Sequence, residues 1–223
     1  GTRVPISGFT VRGIDTLELA DLLYADELGY AVKLLAVSKL VDGELEMHVQ
    51  PTLIRRDRPL AGIDGVNNRI AIAGDVVGRI WLSGQGAGQA ATASAVLSDL
   101  TDVAVGRAGL TFARLDVWEE RPALPVKRPQ DVEARFYLRF NVEDRPHVFA
   151  DIADILGRHD ISLASIIQHE APELNEVPPG ELPIVPVVVM THRTIEGRMQ
   201  AAKSELDRLS SLRRPFVQML ISD

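Results

Sequence analysis

The chain of 223 residues is long enough for one large domain or two small ones, and its 46% apolar and 25% charged residues are typical of a globular protein. A net charge of −7 leaves no basic excess, which argues against a nucleic-acid partner. There is no cysteine, so disulfides, thiolate metal sites and cysteine nucleophiles are excluded, and a reducing cytoplasm is the expected compartment. No apolar run approaches the ~18 residues of a membrane-spanning helix, and the five histidines lack metal-ligand spacing, so neither a membrane partner nor a metal site is expected.

The first predicted element is a helix over residues 16–28. Asp15 or Thr16 is its expected cap, and Gly29 its expected end, because glycine readily adopts the conformation that closes helices. Leucines recur at helical spacing and are expected to form the side that faces the core: Leu19, Leu22, Leu23 and Leu28.

A tight hairpin is predicted next. Residues 30–40 and 44–53 have the composition of strands, and Asp42-Gly43 lies between them. This pair is a strong turn signal because glycine accepts the positive φ that such turns require.

A second strand pair is predicted over residues 68–73 and 76–82. A glycine-rich loop, residues 83–88, then leads into a helix over residues 89–100. The small and apolar residues of that helix predict burial and close packing on a neighbour.

The likeliest domain boundary is the segment 119–131, which reads EERPALPVKRPQD. Three prolines and mixed charges predict an extended, poorly packed connector. The sequence therefore predicts two domains, residues 1–118 and residues 132–223.

Residues 135–142 alternate between apolar and polar side chains, which predicts a half-buried strand. One set is expected to face the core: Phe136, Leu138, Phe140 and Val142. The other set is expected to face away from it: Arg135, Tyr137, Arg139 and Asn141.

A β-α-β-β-α-β order is predicted for this second part. Val148, Ile152 and Ile155 recur at i, i+4 and i+7, which indicates a helix packed on a sheet. A second helix follows Thr194, its expected cap. Further strands are predicted over residues 161–168, 184–190 and 216–221. The predicted fold class is α+β: an antiparallel-rich first part, then a ferredoxin-like sheet with both helices on one face.

The second part resembles an ACT domain, the small β-α-β-β-α-β module that binds amino acids in biosynthetic enzymes. Two stretches carry the resemblance: DRPHVFADIADIL over residues 144–156 matches the turn and first helix of such domains, and ISLASIIQ over residues 161–168 matches their second strand.

The first part resembles the C-terminal portion of the catalytic region of homoserine dehydrogenases. The matching stretches are GYAVKLLA, HVQPTLI, PLAGIDGVNN and GQGAGQAATASAVLSDL, over residues 29–36, 48–54, 59–68 and 84–100. Together with the ACT resemblance they cover most of the chain.

Two features of that family are not seen. Nothing reads as the strand, G-x-G-x-x-G turn and helix of a nucleotide-binding domain. The segment that carries the family's catalytic Asp and Lys, which precedes the strand leading to Gly13-Ile14, is also absent. The resemblance thus implies no catalytic residue in this chain, NAD or NADP as cofactor of the intact enzyme only, no tight cofactor binding here, and no hydride transfer by the chain alone.

The glycine-rich loop is the one expected cofactor contact. In the family this loop approaches the nicotinamide end of the cofactor, which implies a role for Gly84, Gly86, Ala87 and Gly88 in the intact enzyme. Free N–H groups at a helix start suit such a contact. The alternative is a tight turn with close helix packing, which glycine also permits.

The turn before the first ACT helix is the expected effector site. In related domains this turn and the facing second strand bind an amino acid between two subunits. The resemblance implies a site at Asn141, Asp144, Arg145, Pro146, His147, Val148, Ile161 and Ser162. N–H groups at the helix start favour a carboxylate, and Asp144 suits an ammonium group. The alternative is a helix cap with a surface ion pair.

One position departs from the ACT pattern. The residue after Pro146 is usually glycine, which lets the ligand approach the backbone, and here it is His147. The imidazole ring is expected either to fill the ligand's space or to add a contact of its own.

The leading hypothesis is the C-terminal region of a homoserine dehydrogenase, which interconverts homoserine and aspartate semialdehyde with NAD or NADP and is allosterically regulated by threonine. The family implies a homo-oligomer, a dimer or tetramer, formed through the sheet and ACT surfaces. The alternative is a stand-alone, non-catalytic module that binds amino acids or dimerises.

Overall fold

The computed structural model describes residues 4–115, 123–168 and 182–222. The chain divides into two compact units: one comprises the described residues from Asp57 to Ala123, and the other joins Val4–Arg56 to the described residues from Leu124 onward. The first part of the predicted connector, residues 119–122, lies outside the described residues.

The first elements are a short strand, a helix and a long hairpin. They are β1 (Thr10–Val11), α1 (Leu19–Glu27), β2 (Tyr30–Val41) and β3 (Glu44–Arg55). The hairpin prediction is confirmed, since Asp42 and Gly43 have φ of 52° and 81° and the two strands pair without interruption. β1 pairs with β3 in parallel.

Helix α1 turns a different face inward from the one that its leucines predict. Leu19, Leu22 and Leu23 are 70%, 48% and 61% exposed. The buried residues are instead Asp21, Tyr24 and Ala25. The helix also begins later than predicted, at Leu19, and the backbone N–H of Glu18 donates to the Asp21 carboxylate. Gly29 follows its end with φ of 80°, as predicted.

The unit from Asp57 to Ala123 is a two-stranded ribbon with two helices. β4 (Asn67–Gly74) and β5 (Gly78–Gln85) are antiparallel, followed by α2 (Gln89–Ala104) and by α3 (Arg107–Leu115), which the sequence did not predict. The prediction that α2 is buried is wrong, because none of its residues is buried. Two strands are too few to enclose an apolar helix face. Apolar side chains are therefore exposed on both the ribbon and α2, among them Ile70, Leu82, Leu97 and Leu100.

The C-terminal elements have the predicted β-α-β-β-α-β order. They are β6 (Glu133–Glu143), α4 (Val148–Arg158), β7 (Leu163–Gln168), β8 (Ile184–Thr191), the two-residue β9 (Thr194–Ile195), α5 (Glu196–Leu206) and β10 (Leu212–Ser222). The strand order β10-β6-β8-β7 is ferredoxin-like and all these pairs are antiparallel. One core cluster joins both helices to the sheet face that carries Phe136, Leu138, Phe140 and Val142, as predicted.

The hairpin continues this sheet. β10 pairs in parallel with β3, from Leu220 opposite Thr52 to Ser222 opposite Ile54, which gives the path β1-β3-β10-β6-β8-β7. The compact units therefore divide the chain differently from the predicted domains 1–118 and 132–223, because strand pairing joins the hairpin to the C-terminal sheet. The described end of the predicted connector is also hydrogen-bonded, with Lys127 N donating to the carbonyl of Leu45 at 3.0 Å.

Strand β6 is buried on both faces, so the prediction of a half-buried strand is wrong. Tyr137 and Arg139 are fully buried. The face that they share is covered by α1, through Tyr24 and Ala25. Thr194 does not cap α5: Ile195 is the residue before the helix, and Thr194 Oγ1 is buried with no hydrogen-bond partner among the described atoms.

Candidate functional site

The turn between β6 and α4 is held by backbone hydrogen bonds at both sides. Glu143 N donates to the carbonyl of Ser211 at 3.0 Å, and Asp144 N donates to the carbonyl of Pro183 at 2.8 Å. The Glu143 side chain accepts from Arg213 at 2.5 Å and lies 3.6 Å from Arg145 Nε. The backbone is thus fixed to its neighbours, while the Asp144 side chain is exposed and forms no ion pair within the described part of the chain.

The start of α4 offers backbone donors next to that carboxylate. α4 has 11 residues, and the first intrahelical bond runs from Asp151 N to the carbonyl of His147. The N–H groups of the preceding helical positions have no intrahelical acceptor, and they lie at the positive end of the helix dipole. An exposed carboxylate and free N–H groups at one turn complement the two charges of an amino acid.

His147 has a left-handed backbone, with φ of 73° and ψ of −10°. Glycine adopts this conformation freely, whereas a side chain crowds the backbone there. The conformation itself gives a reason for the usual glycine at this position of ACT domains. His147 is exposed, and whether its ring fills the ligand's space or adds a contact stays a prediction.

Replacing His147 with glycine is expected to stabilise the fold by up to about 1 kcal/mol. Relief of the left-handed strain contributes about 1–2 kcal/mol, and the larger chain entropy of glycine offsets about 0.5–1 kcal/mol of it. Thermal unfolding followed by circular dichroism measures the change. Asp160→Gly is the matched control, since Asp160 also has positive φ, 53°, but the short side chain of aspartate can hydrogen-bond locally in that conformation. A lower melting temperature for His147→Gly would show that the imidazole stabilises the turn.

Two of the predicted site residues contribute no exposed side chain. Val148 and Ile161 are buried, at 1% and 3% exposure, and belong to the core beneath the helices. Their side chains position the turn and β7, and only their backbone atoms could meet a ligand. Ser162 is exposed, and its carbonyl accepts from His192 N at 2.8 Å.

The predicted site is not assembled within one chain. Glu143 lies opposite Ile184 on β8, whereas Leu163, just after Ser162, lies opposite Thr191. These positions are seven residues apart on β8, roughly 23 Å at the ~3.3 Å rise of a strand. The turn and residues 161–162 therefore lie at opposite ends of the sheet, and one amino acid cannot contact both in a single copy.

The glycine-rich loop is shorter than predicted, because residues 83–85 belong to β5. A Cβ on Gly86 would lie 1.5 Å from Asn68 Nδ2, so any larger residue there would displace the exposed side chain of Asn68. Gly88 precedes α2 with φ of 120°, a conformation that L side chains rarely adopt. Gly84 has open space around it. Backbone conformation accounts for Gly88, while cofactor contact stays a prediction for the loop.

A buried polar cluster was missed by the sequence reading. The Arg139 guanidinium donates to Asp21 through two bonds, Nε to Oδ1 at 2.6 Å and Nη2 to Oδ2 at 3.0 Å, and both side chains are fully buried. The Tyr137 hydroxyl donates to Asp21 Oδ1 at 3.1 Å. The sequence signal for this cluster is limited to an aspartate and an arginine on two amphipathic elements. The two residues are 118 positions apart.

The cluster shifts the protonation equilibria of its members. Burial raises the pKa of the Tyr137 phenol, and the neighbouring Asp21 carboxylate raises it further. Burial acts to lower the pKa of Arg139, but the hydrogen bond and charge of Asp21, with the charge of Glu18, hold it above its ordinary value. Arg139 is therefore a permanent cation, matched by the Asp21 carboxylate.

Comparisons with known proteins agree with both resemblances. A family profile described as homoserine dehydrogenase matches residues 1–101, and one described as ACT domain matches residues 136–210. A homoserine dehydrogenase of Pseudomonas aeruginosa is 36% identical over 217 residues, which are 94% of this chain and 48% of that protein. The crystal structure of a homoserine dehydrogenase from Thiobacillus denitrificans superposes with a TM-score of 0.73 at 31% identity, over 96% of this chain and 48% of that one.

The chain carries a region that matches homoserine dehydrogenases, residues 1–101, and an ACT domain, residues 136–210. It spans about half the length of the curated homoserine dehydrogenases that it matches, including one from Helicobacter pylori at 33% identity and 48% coverage. The turn after β6 lies within the ACT match, and the glycine loop lies within the homoserine dehydrogenase match. The predicted resemblance to homoserine dehydrogenases and the predicted ACT domain are confirmed.

Two negative findings hold for the described residues of the chain, 4–115, 123–168 and 182–222. No helix among them is long and apolar enough to cross a membrane. No group of three or more His, Asp or Glu side chains among them is arranged to hold a metal ion.

Proposed function

We propose that this chain is the regulatory part of a homoserine dehydrogenase. The whole enzyme interconverts homoserine and aspartate semialdehyde with NAD or NADP in the cytoplasm, and the ACT domain senses threonine. In such chemistry the cofactor carries the hydride, and the protein positions the cofactor and substrate and protonates the reacting group. The family and ACT matches support the assignment, and the absence of cysteine fits a reducing compartment.

The arrangement at the turn after β6 carries the sensing proposal. The ammonium group of threonine would pair with the exposed carboxylate of Asp144, and its carboxylate would accept from the free N–H groups at the start of α4. Both groups come from one fixed turn, so they are available without rearrangement of the backbone.

A second copy of the chain would complete the site. β7 pairs with β8 on one side, and no strand of the described residues covers its other edge. Ile166 on this strand is 44% exposed. Antiparallel pairing of two such edges about a two-fold axis would turn the Ile161–Ser162 end of each copy toward the turn of the other. A homodimer of this kind removes the roughly 23 Å separation found within one chain.

Threonine is expected to bind the chain in a calorimetric titration, and Asp144→Ala is expected to weaken the affinity about tenfold to a hundredfold. Loss of one hydrogen bond to a charged group costs about 1.5–3 kcal/mol. Asp154→Ala is the matched control, because Asp154 is exposed in the same domain and its carboxylate pairs with Arg158 of the same helix, away from the turn. Its affinity for threonine should equal that of the unaltered chain.

Sedimentation velocity tests the dimer with the same samples. Ile166→Glu places like charges at the β7 edge and should weaken both dimerisation and threonine binding. Ile195→Glu alters an isoleucine of similar exposure, 38%, on β9 and should change neither.

Absence of binding heat with threonine at millimolar concentration would rule out the sensing proposal. Binding that is insensitive to Asp144→Ala would place the ligand elsewhere.

The chain alone is expected to transfer no hydride. The sequence contains no G-x-G-x-x-G turn, and catalysis requires the cofactor and substrate to be held in a defined mutual orientation. The measurement is homoserine-dependent reduction of NAD or NADP, with the Pseudomonas aeruginosa homoserine dehydrogenase as positive control. Turnover above background from the purified chain would overturn this expectation.

A further inference from the structure

We propose that Arg139 is a positioning residue of the amino-acid site and that its buried pair with Asp21 couples this site to helix α1. The inference rests on the proposed function, in which the turn after β6 binds an amino acid. It adds the route by which occupancy of that turn reaches the part of the chain outside the ACT domain.

Arg139 divides its donors between two elements. Nε and Nη2 bind the Asp21 carboxylate of α1, and Nη2 also lies 3.1 Å from the Glu18 carboxylate. Nη1 donates at 3.0 Å to Asn141 Oδ1, two residues along β6 toward the turn. The planar guanidinium fixes the directions of all these bonds, so Asn141 and Asp21 cannot move independently while the bonds persist.

Asp21 is held as firmly as Arg139. Oδ1 accepts from Tyr137 and from Arg139 Nε, and Oδ2 accepts from the Glu18 backbone and from Arg139 Nη2. These four bonds use the lone-pair positions of the carboxylate, at a side chain with no exposed surface. A buried pair often adds little stability compared with an apolar pair of similar shape. An apolar pair, however, would leave the Asn141 side chain without its anchor.

Helix α1 passes a displacement on to the hairpin. It ends at Gly29, whose carbonyl accepts from Arg56 N at 3.0 Å, and Asp26 of the helix forms an ion pair with the Arg56 side chain. The next residue, Tyr30, begins β2. α1 and the hairpin lie within the residues 1–101 that match homoserine dehydrogenases, so the link runs from the ACT domain into that part.

Hydrogen exchange measured by mass spectrometry tests the coupling in the full chain. Asp21→Asn keeps the side chain's shape but removes its charge. We expect the hydrogen-bonded amides of residues 143–145 to exchange at least about fivefold faster without ligand, and threonine affinity to fall by at least about fivefold, the lower end of typical coupling between sites. Asp26→Asn, on the same helix but in an exposed ion pair, should change both by less than about twofold.

A second readout uses reciprocity, since a ligand that depends on α1 must in turn stabilise α1. Threonine should slow exchange in residues 19–27 of the unaltered chain. It should not do so in the triple variant Asp21→Leu, Tyr137→Phe and Arg139→Met, which replaces the cluster with apolar side chains and guards against loss of folding. A merely structural role of the pair would leave this threonine-dependent protection unchanged.

The outcomes separate the coupling from the proposed function. If residues 143–145 exchange at the unaltered rate in Asp21→Asn and in the folded triple variant, the coupling is overturned even where threonine binds. The coupling is also overturned if threonine slows exchange at the turn but not in α1. If the chain binds no threonine but the turn exchanges faster in Asp21→Asn, the coupling is supported. That outcome counts only against the threonine-sensing proposal.

Discussion

Truncation of either member of the Asp21–Arg139 pair is expected to lower the free energy of unfolding by about 3–5 kcal/mol. Both side chains are fully buried, and removal of one leaves the other as an uncompensated charge away from water. For Arg139→Ala the carboxylate of Asp21 keeps only the Tyr137 hydroxyl and the Glu18 N–H as donors. Urea unfolding of the single variants Asp21→Ala and Arg139→Ala, followed by circular dichroism, measures the loss.

Two comparisons show whether burial causes the effect. Arg158→Ala removes a half-exposed arginine that pairs with Asp154 and Glu205, and it should cost no more than about 1 kcal/mol. The joint replacement Asp21→Leu with Arg139→Met should be much milder than either truncation, since no buried charge remains. A single-variant loss below about 1 kcal/mol would mean that water reaches the pair in solution.

Tyr24→Ala is expected to cost about 3 kcal/mol, and Leu23→Ala less than about 0.5 kcal/mol. The two residues are adjacent in α1 but differ in environment. Tyr24 is 7% exposed in the cluster between α1 and the sheet, whereas Leu23 is 61% exposed. Truncation of Tyr24 leaves a cavity against β6 and β10, while truncation of Leu23 removes surface that already contacts water.

The same urea titrations compare these two variants, which serve as controls for each other. The hydrophobic pattern of the sequence predicts the opposite order, with the leucines buried. A larger loss for Leu23→Ala than for Tyr24→Ala would therefore restore the sequence prediction and contradict the packing of α1 on the sheet.

The local elements were predictable because short-range patterns specify them. Alternation over residues 135–142 predicted β6, and the spacing of Val148, Ile152 and Ile155 predicted the buried face of α4. Asp42-Gly43 predicted the hairpin turn. In each case the preference arises from neighbouring residues, through side-chain period or backbone conformation, and the rest of the fold agrees with it.

The candidate site was predictable only as a set of residues. Motif resemblance placed Asp144 and Ser162 in one site between two subunits, and strand register adds that the two lie at opposite ends of the sheet within one chain. The resemblance identified His147 as the position that departs from glycine, and the structure adds its left-handed backbone, with φ of 73°. Neither register nor φ is encoded in the identity of a single residue.

The sequence by itself determined most of the order of elements, the ACT domain and the resemblance to homoserine dehydrogenases, because periodicity, turn residues and motif stretches are local properties. Only the tertiary structure decided which faces are buried. α1 presents Asp21 rather than its leucines because a partner 118 residues away, Arg139, lies on the sheet face that it covers. β10 joins β3 through pairing between distant segments. The buried face of an element depends on which other elements pack against it, and a local sequence pattern is compatible with more than one packing partner.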